Sequence, residues 1–230
     1  MHATRPYMRG LQNLALTLIQ AKRYKEALAA CDRLEDECQD DVTAAAHRAS
    51  AFLNLGQFRS ALDAALHIIE ISPSESSVAA FASFELRLHD DARVWFLHAA
   101  LNAPRTVAMV IGVKLPLPTD HDDADDHNGG VTLLRALSGY LEKRSPASRR
   151  FFAELGKSDQ VTTCRKELEE VTRRWRADRP NKDRPAFDRM TRMRSIAFAR
   201  ETAAPMLHVE GPRLAPSRGR GAPRHSRMVH

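Results

Sequence analysis

Apolar positions in the first hundred residues recur in steps of three and four, the period of a helix buried along one stripe. The whole pattern then recurs at longer range. RYKEAL at 23–28 lines up with QFRSAL at 57–62, a separation of 34. At that separation Leu11 pairs with Ala45, Ala15 with Ala49, Leu18 with Phe52, Ala27 with Ala61 and Leu34 with Ile68. A third copy follows 31 residues later, with Ala92 matching Ala61, Phe96 matching Ala65, Ala99 matching Ile68 and Pro104 matching Pro73. Each copy predicts two amphipathic helices joined near Arg23 or Gly56. Small residues fall where the pair must approach closely, and larger ones face the partner helix. Ser72-Pro73-Ser74-Glu75 has the form of a capping box with proline at the first helical position, and predicts the start of the third unit's first helix. Such units cannot bury their apolar faces alone, so the array needs a cap.

The second half supplies candidates for that cap. Residues 131–143 carry Leu133, Leu134, Leu137 and Leu141 on one face, released from the preceding chain by Gly129 and Gly130. A short helix is expected over 147–155, anchored by Phe151, Phe152 and Leu155. The cleanest pattern spans 159–177, where Val161, Cys164, Leu168, Val171 and Trp175 form a seam among charged residues. That seam is short for a coiled coil, so packing against the array is expected. After a linker at 177–185, one helix is predicted over 187–200, with Phe187, Met190, Met193 and Ala197 opposite Arg189, Arg192 and Arg200. From Ala204 the chain loses its period and fills with Pro, Gly and Arg, the composition of a disordered tail. The expected division is a repeat array at 8–113, an acidic loop at 114–130, a helical extension at 131–202 and a basic tail at 203–230.

The repeat residues resemble the tetratricopeptide repeat family, whose helix–turn–helix pattern reads W-x2-L-G-x2-Y, then A-x3-F, then P. The first copy here reads Leu11-x2-Leu14-Ala15-x2-Leu18 and Ala27-x3-Cys31; the second reads Ala45-x2-Arg48-Ala49-x2-Phe52, Ala61-x3-Ala65 and Pro73; the third keeps Ala92-x3-Phe96 and Pro104. Arg48 stands where a large apolar residue is usual, Gln39 replaces the first proline, and the third unit is three residues short. The likeness covers roughly residues 8–105. It implies an all-α fold with about three helix–turn–helix units stacked as an α-solenoid. It also implies a concave groove lined by Arg9, Gln12, Leu16 and Ile19, then Ala46, Ser50, Leu53 and Asn54, then Phe81, Phe84 and Glu85. That groove lacks the Lys/Asn/Lys/Arg set with which some members hold a terminal carboxylate. Its apolar lining suits a peptide or helix, supplied by a protein partner or by the chain's own C-terminal helices.

Charge changes the picture in the back half. Residues 1–143 carry a net charge of −5 and residues 144–230 a net charge of +11, with 28 arginines against 7 lysines overall. Arg173, Arg174, Arg176 and Arg179, then Arg189, Arg192 and Arg200, then Arg218 and Arg220 in SRGRG form the alternative site, for RNA or another polyanion. No aromatic residue interleaves the arginines of the tail, as base stacking would require. Cys31 and Cys38 lie about 10.5 Å apart on one helix, beyond disulfide reach. Three sparse cysteines, no apolar leader and no run able to span a bilayer lead to the expectation of a cytoplasmic protein without membrane attachment.

Catalytic chemistry is thin. No P-loop, H-E-x-x-H, G-x-S-x-G or C-x-x-C occurs, so neither an enzyme nor a cofactor is expected. His89 is placed at a helix corner, and His67 and His98 share one repeat slot as exposed residues. The stretch TDHDDADDHNGG at 119–130 lacks the glutamate and glycine spacing of an EF-hand. No metal site is expected there, Asp122, Asp125 and His127 being its nearest approach to one. The stretch reads instead as a solvated loop able to face the basic half, with Asp126 or Asn128 near the next helix start.

Overall fold

Thirteen α-helices and one short 3-10 turn make up the regular structure among the described residues, with no strand among them. The computed structural model describes residues 4–177 and 183–205. The basic tail from 206 onward, with Arg218 and Arg220, lies outside them, as does Arg179 in the linker.

Three hairpins come first: α1 (Arg5–Gln20) with α2 (Tyr24–Cys38), α3 (Asp41–Leu55) with α4 (Phe58–Ile68), and α5 (Ser76–Glu85) with α6 (His89–Asn102). Each helix packs on its successor, and α3 also touches α1 and α5. The alanines aligned by the repeat, Ala15, Ala27, Ala49, Ala61 and Ala92, are all completely buried. A methyl group is what the helix crossings admit there. The hairpins also turn alike. Lys22, Gly56 and Arg87 have left-handed φ angles of 60°, 75° and 62°. In each turn the next N–H reaches back 2.9 Å, to the carbonyls of Leu18, Phe52 and Ser83. This is the 6→1 bond of a Schellman turn. Arg48 keeps its place by pairing with Asp32 and Glu35 of α2, which neutralise it at the hairpin surface.

The expected capping box does not form. Pro73–Glu75 is a 3-10 turn, Ser72 caps nothing, and its hydroxyl meets that of Ser74 at 3.3 Å. Glu75 is drawn inside instead of reaching back to the cap.

The acidic stretch is a helix, not a loop. After α7 (Pro104–Val110), α8 begins at His121 and runs through both glycines to Ala136. Asp120 is its N-cap, accepting the Asp123 N–H at 2.8 Å. Gly130 does not release the chain; it lets α8 lie against α7, where a β-carbon would come within 3.0 Å of Thr106 Cα and 2.8 Å of Met109 Sδ. The helix expected over 131–143 is broken at Leu137, beyond which α9 spans Ser138–Lys143. α10 (Pro146–Lys157) and α11 (Asp159–Ala177) follow the pattern predicted for them. The helix expected over 187–200 is two, α12 (Arg184–Met193) and α13 (Ile196–Ala203), because Ser195 turns its hydroxyl to the Phe198 N–H and starts a new helix.

Two apolar clusters result. The larger joins α3–α6 to the C-terminal helices; the smaller holds α1, α2 and one side of α3, with Ala44 and Ala51, together with Ala136 of α8.

Candidate functional site

The face predicted as a groove is largely occupied by the chain itself. α8 touches α1 and α3, and α9 touches α3. Beyond them α10 brings Phe152 edge-on to Phe81 at 4.8 Å and Phe151 to Phe84 at 4.9 Å. Leu53 and Phe81 are 1% exposed, as core residues are. Glu85 accepts the Tyr140 hydroxyl at 2.9 Å. Ala46, by contrast, is half-buried.

Asn54 fastens the cover. Its amide nitrogen donates to the Ser50 carbonyl at 2.7 Å and to the Ala136 carbonyl at 2.8 Å. Its oxygen accepts the Tyr140 N–H at 2.8 Å. Ala136 and Tyr140 are four residues apart and would bond each other in an unbroken helix. The Asn54 side chain is inserted between them, which is the physical cause of the break at Leu137. Gly139 makes room for the insertion: a β-carbon there would fall 2.2 Å from Tyr24 Oη and 2.8 Å from Asn54 Oδ1. Ser50, also a predicted slot, contributes its carbonyl.

The first unit is less covered. Ile19 is buried, but Arg9 is exposed and Leu16 half-buried. Gln12 donates to Asp40 at 2.6 Å. Lys22 reaches Glu142 of α9 at 2.8 Å, an exposed link between the first hairpin and the cover.

Beside Asn54 the cover leaves a cavity of about 200 Å3, walled by Leu53 and Phe58 and rimmed by Glu85, Tyr140, Lys143 and Arg144. Burial pushes the Tyr140 phenol far above its usual range, and the Glu85 carboxylate adds to this. Burial, with Arg149 nearby, pulls the Arg144 guanidinium below its usual value. A second cavity, about 540 Å3, lies among His98, Asn102, Met190, Arg194 and Ile196. His98 is 3% exposed, not an exposed residue like His67; its Nδ1 meets the Ser76 hydroxyl at 2.6 Å. His89 opens α6 and packs on Phe84 with ring centroids 5.0 Å apart.

The acidic residues serve the local fold. The Asp126 carboxylate accepts the backbone N–H groups of Arg105 at 2.6 Å and Thr106 at 3.0 Å, so it caps α7 from the neighbouring helix. Asp123 pairs with Arg105 at 3.0 Å. Among the described residues, the partner of this stretch is therefore α7. Asp125 faces His121 at 3.3 Å, and His127 is half-buried with Nδ1 unbonded. The Asp122 side chain lies outside the described residues. No group of three His, Cys, Asp or Glu able to hold a metal occurs among the described residues.

Among the described residues, four of the predicted polyanion arginines each have an acidic partner. Arg173 bonds Glu170 at 2.7 Å, Arg174 lies 3.9 Å from Asp183, Arg189 pairs with Glu167, and Arg192 meets Glu201 at 3.3 Å. Arg200 lies over the Trp95 ring at 5.8 Å, and Arg176 is exposed at the end of α11.

Sequence reasoning named Asn54 and Phe81 as groove residues but missed Tyr24, Gly139, Tyr140 and Arg144. Gly139 and Tyr140 carried a signal, a Gly-Tyr pair inside a leucine-patterned helix; Tyr24 and Arg144 carried none. No helix among the described residues is long and apolar enough to cross a membrane. Comparison with protein-family models, with curated proteins and with solved structures returned no match.

Proposed function

We propose that this chain is a non-catalytic protein-interaction scaffold. It is built on three tetratricopeptide-like units whose inner face its own C-terminal helices share with a protein partner. The three left-handed turns at Lys22, Gly56 and Arg87, spaced 34 and 31 residues apart like the sequence repeat, support the repeat reading. The observation that carries the binding surface is the uneven cover. Leu53 and Phe81 are enclosed by α8–α10, while Arg9 and Leu16 on α1 are not. The partner segment lies along α1 and the first half of α3, with Arg9 and Gln12 as polar contacts and Leu16 and Ala46 as the apolar floor. The polyanion alternative draws less support, since Arg173, Arg189 and Arg192 each have a carboxylate to answer them.

The test is affinity capture with the full chain, its Arg9→Glu/Leu16→Asp variant and its Arg173→Glu/Arg174→Glu variant, with circular dichroism on each. A protein held by the native chain and by the second variant but lost by the first is the expected result. Capture indifferent to the first pair would overturn the assignment. RNA recovered only when Arg173 and Arg174 are intact would transfer the function to the basic half.

A further inference from the structure

The cavity beside Asn54 is lined by two cations, Arg144 and Lys143, against one carboxylate, Glu85. Arg144 is half-buried, and its Nε and Nη1 are buried with no hydrogen-bond partner. The guanidinium instead lies over the Phe81 ring, 5.2 Å from the centroid. A ring face attracts a cation but accepts none of its N–H bonds in the plane. Among the described residues Glu85 is the one carboxylate lining the cavity, and its bonded oxygen takes the Tyr140 hydroxyl. Lys143 adds a second cation at the rim, and Arg149 repels Arg144 from nearby. α10 begins at the same rim with Ser145 as its cap, so the positive end of a 12-residue helix adds to the field. Leu53 and Phe58 form the opposite wall.

We infer that this cavity is a binding site for a small anionic group, a phosphate or a carboxylate, held between the Arg144 guanidinium and the Lys143 ammonium with Ser145 at the rim. An oxyanion supplies the acceptors that the guanidinium lacks, in the planar geometry for which arginine is suited. The volume, about 200 Å3, lies below the ~300 Å3 at which drug-sized ligands begin. It therefore takes a single group or a short organic anion, not a nucleotide-sized cofactor. This site is separate from the partner surface on α1 and does not depend on it.

Inorganic phosphate and sodium acetate, titrated separately into the full chain at ionic strength held constant with chloride, test the assignment. The backbone amide resonances of Tyr140, Lys143 and Arg144 give the readout. Saturable shifts are expected in the native chain. Arg144→Met keeps a stem to cover Phe81 and should weaken binding at least about tenfold, the loss of one charge-assisted bond. Lys143→Gln, at an exposed position, should weaken it less. Tighter phosphate assigns a phosphorylated ligand, and equal or tighter acetate assigns a carboxylate. Shifts that chloride reproduces, or binding unchanged in Arg144→Met, would overturn the site. Should Arg144→Met fail to fold by circular dichroism, Arg144→Lys together with Lys143→Gln decides the matter, and unchanged affinity in both would overturn it.

Discussion

Replacing Asn54 tests the account of how the C-terminal helices are fixed. In Asn54→Ala the Ala136 carbonyl and the Tyr140 N–H lose their shared partner. Two net hydrogen bonds are worth about 1 kcal/mol each, and a stranded buried donor adds about 1–3 kcal/mol. The two orphaned groups could recover part of this by bonding each other if α8 and α9 straightened. Gly139, pressed against Tyr24, opposes that movement. The expected cost is therefore about 2–4 kcal/mol, which at a urea slope of about 2–3 kcal/mol per M lowers the midpoint by roughly 1 M. Asn54→Asp should cost more at neutral pH. It keeps an acceptor for Tyr140 but cannot donate, and it turns a carboxylate oxygen toward the carbonyls of Ser50 and Ala136. Burial and those carbonyls raise the folded pKa of the introduced carboxyl above its unfolded value. The deficit of this variant therefore shrinks as pH falls and the acid becomes a donor. Urea unfolding of the full chain, followed by far-ultraviolet circular dichroism at pH 7 and pH 4.5, reads both effects. An unmoved Asn54→Ala midpoint, or Asn54→Asp as stable as the native chain at pH 7, would refute the insertion as the element holding the cover.

Three further outcomes follow from local geometry. Burial raises the Glu75 carboxyl from an ordinary 4.5 to about 8. Its contribution is intact below pH 4.5 and is lost as pH rises toward 8, at up to about 1.4 kcal/mol per pH unit; Glu75→Gln should flatten that slope in pH-resolved urea midpoints. Gly139→Ala should lower the thermal midpoint by the equivalent of about 1–3 kcal/mol through overpacking, although helix propensity alone favours alanine there. Tyr24→Phe, which removes the nearest clashing atom, should return part of the loss. At the left-handed turns Gly56→Ala should cost about 1 kcal/mol and Arg87→Gly should gain up to about 1 kcal/mol, since only glycine takes that conformation freely. Equal effects from the two would mean that turn strain is not what the measurement reads.

The parts legible in the sequence are those decided by near neighbours. Ala27 and Ala61 announce a close crossing because any larger residue would clash, and both are completely buried. The seam of α11 is legible for the same reason, one face and one period. The acidic helix was not. Aspartate and glycine are both poor helix formers, and what overrides them comes from another helix. The N–H groups at the start of α7 take the Asp126 carboxylate, and Gly130 meets Thr106. Ser195 did carry a signal: a serine ahead of a fresh apolar run can cap a helix, but an uninterrupted amphipathic pattern around it hid the break. The C-terminal helices were one of the two occupants expected for the inner face, but the bond that fastens them there could not be read. Asn54 interrupts a helix 82 residues away in sequence, and no local pattern records a bond of that range.

Whether that cover is a lid that a partner could lift, or part of the core, is decided by what it buries. Phe152 is fully enclosed, with rings of Phe81, Phe84, Phe96 and Phe151 between 4.8 and 5.7 Å away. Leu137, Tyr140, Phe151 and Leu155 are buried beside it. At about 1.5–3 kcal/mol for each large side chain, these five residues hold the cover with roughly 8–15 kcal/mol. A partner with nanomolar affinity brings about 12 kcal/mol, most of which displacement would consume. The cover therefore belongs to the fold, and the proposed partner is left the surface it does not reach. Phe152→Ala, worth about 3–5 kcal/mol, separates the alternatives. In a core residue it lowers the whole chain's unfolding midpoint, in one transition seen alike by far-ultraviolet circular dichroism and by tryptophan fluorescence. In a lid it would leave the helical midpoint in place and free the C-terminal helices for proteolysis. That second result would restore the full inner face, from Arg9 to Glu85, as the binding groove.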